Sequence, residues 1–394
     1  MENKVSYKWT DYMICLCPIA LILYISNESY AIDFRAFYLA GKSLLWDLNP
    51  YLNHINIDES FYGPINSELA YYSGWKYPPL ATYLFSPLAL LPYELSKNIF
   101  NLISIISGTV LIIFSIKFSR MKIIPESILI CGLSFPILAT ISRGQIEIII
   151  VSFAVFAVYL YRRGLINLSL VIITFLSSVK IFPAVIILSF IDKRNAFKIV
   201  RTVSLTSFII LALTLILTPE TWTDSFITRV LIPWDEVPGK VMSILPEGSG
   251  VIKDTMTVKS SDTKYLLHSH YFVFGFANPL LSKNLILASI VGLTGACACK
   301  FQYRSESSML ISLTIMNWIN IMNPISWIMG ITWYIPLFLY SYMKVKNKYK
   351  YLLCLPLILP PFLNVSGYLA ALLSLIITRL YKQEYLNENI ASYI

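Results

Sequence analysis

The chain has 394 residues, 56% of them hydrophobic and 13% charged, with a formal net charge of +9 and a mean hydropathy of +0.65. A soluble domain of this size cannot hide that much apolar surface, so composition alone implies a polytopic membrane protein. The positive charge falls in short clusters between apolar runs, which is the pattern that orients membrane helices and excludes a basic face for nucleic acid.

Apolar runs of spanning or near-spanning length occur at about 12–28, 95–117, 123–141, 146–161, 165–179, 181–191, 198–218, 284–299, 307–322, 327–343, 351–363 and 365–379. They predict an all-α integral membrane protein of about twelve helices, forming a single domain over residues 1–394. Runs such as 181–191 are short of the roughly 20 residues that a perpendicular span needs, so these are short helices or borrow flanking residues. The first run lacks a small-residue cleavage site and reads as a retained helix. All six cysteines lie inside apolar runs, as small buried thiols do, and the C-x-C pairs Cys15/Cys17 and Cys297/Cys299 have no His or acidic neighbours.

Charge fixes an orientation. With the N-terminus inside, seven basic clusters fall on the cytoplasmic side, from Lys4/Lys8 through Arg162/Arg163 and Lys193/Arg194 to Arg379/Lys382. Both termini are then cytoplasmic, and two long loops, about 27–94 and 219–283, lie outside with most of the acidic residues. Polar chemistry concentrated on one side points to work done there.

The first outer loop opens with Asp33, a carboxylate just past the first apolar run. It precedes a stretch, 34–46, that reads as an interfacial amphipathic helix with Phe34, Phe37 and Tyr38 apolar and Arg35 and Lys42 polar. An Asp in that place is also a natural N-cap, and a capped helix start would hold the carboxylate rigidly. The loop ends at Lys76-Tyr77-Pro78-Pro79, and the segment 77–92, bounded by prolines, reads as a re-entrant piece or a short helix. Arg143-Gly144-Gln145 lies between two spans at the outer boundary, with Glu147 placed to pair with Arg143 or another base. Lys180 is flanked by apolar runs. A lysine at the bilayer centre costs about 2.5–3.5 kcal/mol, which a helix break after Val179, favoured by Pro183, avoids. His268 and His270 lie in the second outer loop, and Asn323-Pro324-Ile325-Ser326-Trp327 forms another outer break whose Trp suits an interfacial belt. Phosphate-loop, dinucleotide, nucleophile-elbow and zinc-protease motifs are missing, as is a D-x-D pair for metal-bound nucleotide sugars. No cofactor is assigned, and a divalent-metal requirement stays open.

Taken in order, Asp33 with Tyr38, Ala40 and Gly41, Asn49-Pro50-Tyr51, Lys76-Tyr77-Pro78-Pro79-Leu80, Pro87-Leu88-Ala89, Leu91-Pro92, Gly144-Gln145, Lys180, Pro183, Lys193-Arg194 and Asn323 to Trp327 resemble glycosyltransferase family 87. The resemblance covers about residues 12–200 well and the C-terminal half poorly. It implies a GT-C-type enzyme of a bacterial plasma membrane that moves a hexose, mannose in the family's mycobacterial members, from a polyprenyl-phosphate donor to a glycolipid or glycan acceptor. Asp33 would be the general base of an inverting transfer. Arg143, Lys180 and Lys76 would neutralise the leaving phosphate, while Gln145 and Tyr77 would orient donor groups. Arg35, Glu147, His268, His270, Asn323 and Trp327 are auxiliary candidates. Family members often carry His shortly after the Ser-Trp element, whereas Ile328-Met329-Gly330 follows here, so Asp33 acts alone, is assisted by His268 or His270, or meets a different substrate. Two other classes fit the many spans: a lipid or glycan transporter, which symmetric halves with broken helices would signal, and an oligosaccharide polymerase or ligase using a lipid diphosphate.

Overall fold

The computed structural model describes residues 18–25, 31–52, 75–119, 125–192, 194–228, 285–302, 308–322, 328–342, 347–360 and 365–377. Among these the fold is helical, with no strand. Helix α1 covers 18–25 and α2 covers Ile32–Leu45. A 3-10 turn, Pro79–Ala81, leads into α3, Thr82–Ala89, and the long α4 follows at Tyr93–Ser119. Next come α5, Pro125–Gly132, and α6, Phe135–Arg143, then α7, Glu147–Arg162, and α8, Ile166–Val179. A 3-10 segment, Phe182–Ile186, joins α8 to the one-turn α9, Ile187–Phe190. Helix α10 spans Ala196–Leu217 and α11 spans Glu220–Phe226. The C-terminal part holds α12, Leu285–Gln302, α13, Ser308–Met322, a 3-10 segment, Ile328–Tyr334, running into α14, Ile335–Tyr342, then α15, Asn347–Ile358, and α16, Ser366–Ile377.

Two helices among the described residues are long and apolar enough to cross a membrane, Tyr93–Ser115 within α4 and the whole of α10. The α5–α6 pair is a third if taken as one span bent by 47°. The break lies where Pro136, which has no N–H to donate, sits in the first turn of α6. The apolar run at 181–191 is not one continuous helix, because Pro183 opens a 3-10 segment and α9 has four residues. The run at 327–343 likewise divides into 3-10 and α portions.

Helix α7 is the centre of the bundle. Its Val151, Ala154, Val155 and Ala157 have no exposed surface, and α4 and α8 flank it. Helix α10 is the opposite case, with only 6% of its span buried, and it leans chiefly on α8. Helices α12 and α13 approach closely because Gly292 and Gly295 face Met322 and Trp318, where a side chain would not fit.

Two readings of the segment 31–46 are corrected. Helix α2 exists near the predicted place, but it has no free polar face: Asp33 through Gly41 are all buried, Arg35 included. It is enclosed by α3, α4 and α6, and the Arg35 guanidinium sits over the Tyr93 ring, 5.8 Å from its centroid. Asp33 is not an N-cap either. It is the second residue of the helix, the residue before the helix is Ala31 with φ 49°, and no side chain caps it. The ambiguous segment 77–92 is a 3-10 turn followed by an eight-residue helix, too short to cross. These segments are tied to the end of α10 and to α11. Tyr83 donates to the Leu217 carbonyl at 2.6 Å, and the Asn49 amide donates to Ser225 Oγ at 2.9 Å.

Candidate active site

Asp33 is placed by packing on both sides of its helix turn. Next to it, Phe34 is fully buried against Tyr93 and Phe100, with ring centroids 5.7 and 4.9 Å away. One turn on, Phe37 stacks on Phe85 at 4.7 Å and 12°. Gly41 lets the α3 backbone come so near that an added Cβ would lie 2.6 Å from the Phe85 carbonyl oxygen. These contacts leave the first turn of α2 little room to shift.

The end of α6 meets that turn. Gly144 has φ 66°, and the N–H groups of Gly144 and Gln145 donate to the carbonyls of Ile141 and Thr140 in a Schellman closure. Its missing side chain matters twice, because a Cβ there would lie 2.5 Å from Phe34 Cβ. The close approach brings Arg143, the last residue of α6, onto Asp33. The guanidinium donates through Nε to Oδ2 and through Nη2 to Oδ1, the latter at 2.7 Å, in a two-pronged pair. Both side chains are almost wholly buried, 8% and 4% exposed, so each charge depends on the other for compensation.

A second pair lies across the same region. Glu147 opens α7, where the helix dipole favours a carboxylate. Lys180 follows the last residue of α8 in extended backbone, so the break expected after Val179 is present. Lys180 Nζ is 2.5 Å from both Glu147 oxygens. Glu147 therefore takes Lys180, not Arg143, as its base.

Tyr77 joins the two pairs. Its hydroxyl donates to Gln145 Oε1 at 3.4 Å, and Lys180 Nζ lies 5.6 Å from its ring centroid. Its carbonyl accepts from Tyr51 at 2.6 Å, and its ring packs edge-on against Phe37 at 5.2 Å. Burial, then the nearby Glu147 and Asp33 charges, push the Tyr77 hydroxyl well above its usual range, so it stays a neutral donor. The half-buried Lys76 ammonium is disfavoured chiefly by burial and also by Arg143, while Asp33 works the other way; its pKa falls below the usual lysine value. The cluster thus holds three cations and two carboxylates. In this state Asp33 holds Arg143 and Glu147 holds Lys180, so an anion that engages either of these two bases competes with its carboxylate.

Asp33, Lys76, Tyr77, Arg143, Gln145, Glu147 and Lys180 are therefore neighbours, although they come from distant stretches of chain. Arg35 is turned away toward Tyr93. His268, His270, Asn323 and Trp327 lie outside the described residues. Sequence reasoning missed the supports. Trp75 and Phe37 wall Tyr77, and Tyr51 fixes its backbone. Phe34 and Phe37, three apart beside Asp33, are the one signal that pointed to an aromatic seat.

A family model described as glycosyltransferase family 87 matches residues 75–316. The match contains Lys76, Tyr77, Arg143, Gln145, Glu147 and Lys180, and begins after Asp33. No curated protein and no solved structure matches the chain.

Proposed function

The chain belongs to glycosyltransferase family 87, and from that premise we propose that it transfers a hexose, mannose by the family resemblance, from a polyprenyl-phosphate donor to a hydroxyl of a lipid- or glycan-linked acceptor. In this reading the protein is a GT-C-type enzyme oriented by its basic clusters, with the reaction at the outer face of the membrane. The observation that supports it most is the convergence of Asp33, Arg143, Lys76 and Lys180 around Tyr77. A phosphodiester needs fixed cations, and an acceptor hydroxyl needs a carboxylate within reach.

The donor phosphate, a monoanion like each carboxylate, competes for the cations that the carboxylates hold and offers the Arg143 fork two oxygens. As it takes the Arg143 fork, the Asp33 carboxylate is released and turns to the acceptor hydroxyl. The acceptor oxygen attacks the anomeric carbon from the face opposite the phosphate, Asp33 takes its proton, and the bond to the phosphate oxygen breaks with inversion. The electron pair leaves on polyprenyl phosphate, where Arg143, Lys180 and Lys76 meet the added negative charge. Tyr77 and Gln145 supply neutral hydrogen bonds to the sugar or the phosphate. The base is occupied until donor arrives, so donor binds first.

The test is purified protein in lipid nanodiscs, supplied with a panel of polyprenyl-phosphate hexoses and a glycolipid acceptor extract. Released polyprenyl phosphate is measured. Wild type releases it with one hexose and Asp33→Asn does not. Release by Asp33→Asn at the wild-type rate would remove Asp33 from the mechanism.

A further inference from the structure

A slot of about 430 Å³ opens between α8 and α10. Pro78 and Leu84 are among its lining, with Val179 on the α8 side and Val203, Leu211 and Thr214 on the α10 side. We propose that this slot holds the hydrocarbon chain of the lipid-phosphate donor, an inference that rests on the donor reading above and assigns the part of the ligand which that reading leaves unplaced.

The slot shares a wall with the charge cluster. Pro78 and Val179 line it, and the residues that follow or precede them in the chain, Lys180 and Tyr77, carry the ammonium and the ring that meet at 5.6 Å. A ligand seated in the slot has its head at that wall. Most of the lining is apolar, and the Ser177 and Ser178 hydroxyls donate back to the carbonyls of Ile173 and Phe175, each at 2.7 Å. Phe175, Ala184, Ser207 and Leu211 line the slot and stay exposed, so the slot is open to its surroundings and a lipid can enter it sideways.

Length and shape favour one kind of occupant. From Val203 to Thr214 the α10 wall rises about 16 Å at 1.5 Å per residue. That is close to half of a hydrocarbon core of about 30 Å. A volume of about 430 Å³ along that wall is narrow for its length. It suits a single-chain polyisoprenoid phosphate, whereas a diacyl phospholipid seats at most one of its two chains there. Bilayer lipid is as apolar as the slot, so the gain is not hydrophobic. The slot instead sets the register of the head against Lys180 and Arg143.

Ala184 and Ser207 line the slot and are exposed, so larger side chains there fill it without entering the core. The experiment compares kcat/KM for a long-chain polyprenyl-phosphate hexose and for a one-isoprene analogue, in wild type, Ala184→Phe and Ser207→Trp. The ratio of long to short is expected to fall at least about tenfold in both variants, equivalent to about 1.4 kcal/mol. An unchanged ratio in both overturns the proposal. A second arm needs no turnover: polyprenyl phosphate with a diazirine at its tail is photolysed with the protein in nanodiscs. Labelling of peptides containing 174–179 and 203–214, competed by polyprenyl phosphate and reduced in Ala184→Phe, supports the slot. Labelling elsewhere, or equal competition by phosphatidylcholine, overturns it. If wild type turns over no lipid-phosphate hexose the donor reading fails, and the photolabel still decides the slot.

Discussion

Replacing Gly144 with alanine tests the geometry that joins Asp33 to Arg143. Two costs arise at that position. The left-handed conformation at φ 66° costs an L-residue about 1–2 kcal/mol. The new Cβ would also stand 2.5 Å from Phe34 Cβ and 3.3 Å from Phe34 N, against an ordinary contact of 3.4–4 Å. Phe34 Cβ is not a flexible tip, so relief requires the first turn of α2 to move by about 1 Å, and overpacking of this kind costs about 1–3 kcal/mol. Asp33 precedes Phe34 and moves with it. A misplacement of about 1 Å at a catalytic group costs about a hundredfold in rate. Gly164 supplies the control: its φ is 83° and nothing lies within 4 Å of an added Cβ, so Gly164→Ala meets the conformational cost alone. The assays are thermal unfolding in detergent and kcat/KM for sugar transfer. Both variants are expected to lose stability, Gly144→Ala more, and only Gly144→Ala is expected to lose about two orders of magnitude in kcat/KM. Wild-type transfer by Gly144→Ala, with a melting shift equal to that of Gly164→Ala, would refute the reasoning.

Asp33→Ala, which leaves the Arg143 charge buried without its carboxylate, is expected to abolish transfer and to cost about 3–5 kcal/mol of stability, read as a lowered melting temperature; an unchanged melting temperature would mean the pair is not formed. Glu147→Gln frees Lys180 for the donor phosphate, so the donor KM is expected to fall several-fold while thermal stability also falls, and a higher KM would contradict the proposed competition. Lys76 has its pKa lowered mainly by burial, so it loses its proton at a pH below the ordinary lysine value of 10.5. Its charged form is the one the fold disfavours. As pH rises through that lowered value toward 10.5, donor binding is therefore expected to weaken while a cost to stability is relieved. The difference between wild type and Lys76→Met isolates both trends, measured as KM and melting temperature against pH, and parallel profiles would show that Lys76 contributes neither.

Local signals made part of this site legible. Gly144 marked a helix end, Lys180 demanded a break, and Asp33 stood out as a carboxylate at the edge of an apolar run. Each depends on a few neighbouring residues, and the structure places a helix end or break at Gly144 and Lys180. The pairings were not legible, because Asp33 and Arg143 lie 110 residues apart and Glu147 and Lys180 lie 33 apart. Charge type allows Glu147 to pair with Arg143 four residues before it, yet the turn at Gly144 sends Arg143 toward α2 and leaves Glu147 facing α8. Hydropathy also misjudged continuity. It sees 181–191 and 327–343 as single apolar runs, whereas the change from α to 3-10 depends on Pro183 and on packing against α13, to which a hydropathy window is blind. The burial of Arg35 escaped notice for a similar reason, since its aromatic partner Tyr93 belongs to the next long helix.

The inventory of Asp33, Glu147, Lys76, Arg143 and Lys180 has an electrical consequence. Counted formally, two carboxylates against three cations leave an excess of one positive charge. A sugar phosphodiester carries a single negative charge, so the loaded site is neutral. Transfer turns the diester into a monoester, whose second ionisation lies near pH 6, and it becomes a dianion at neutral pH. On the proposed chemistry, the proton taken by Asp33 adds one positive charge to the protein at the same moment. Enclosed charge then balances before and after the reaction, with no ion required to cross the barrier. The return of that proton to water restores the imbalance, recloses Asp33 on Arg143 and sends the spent carrier out.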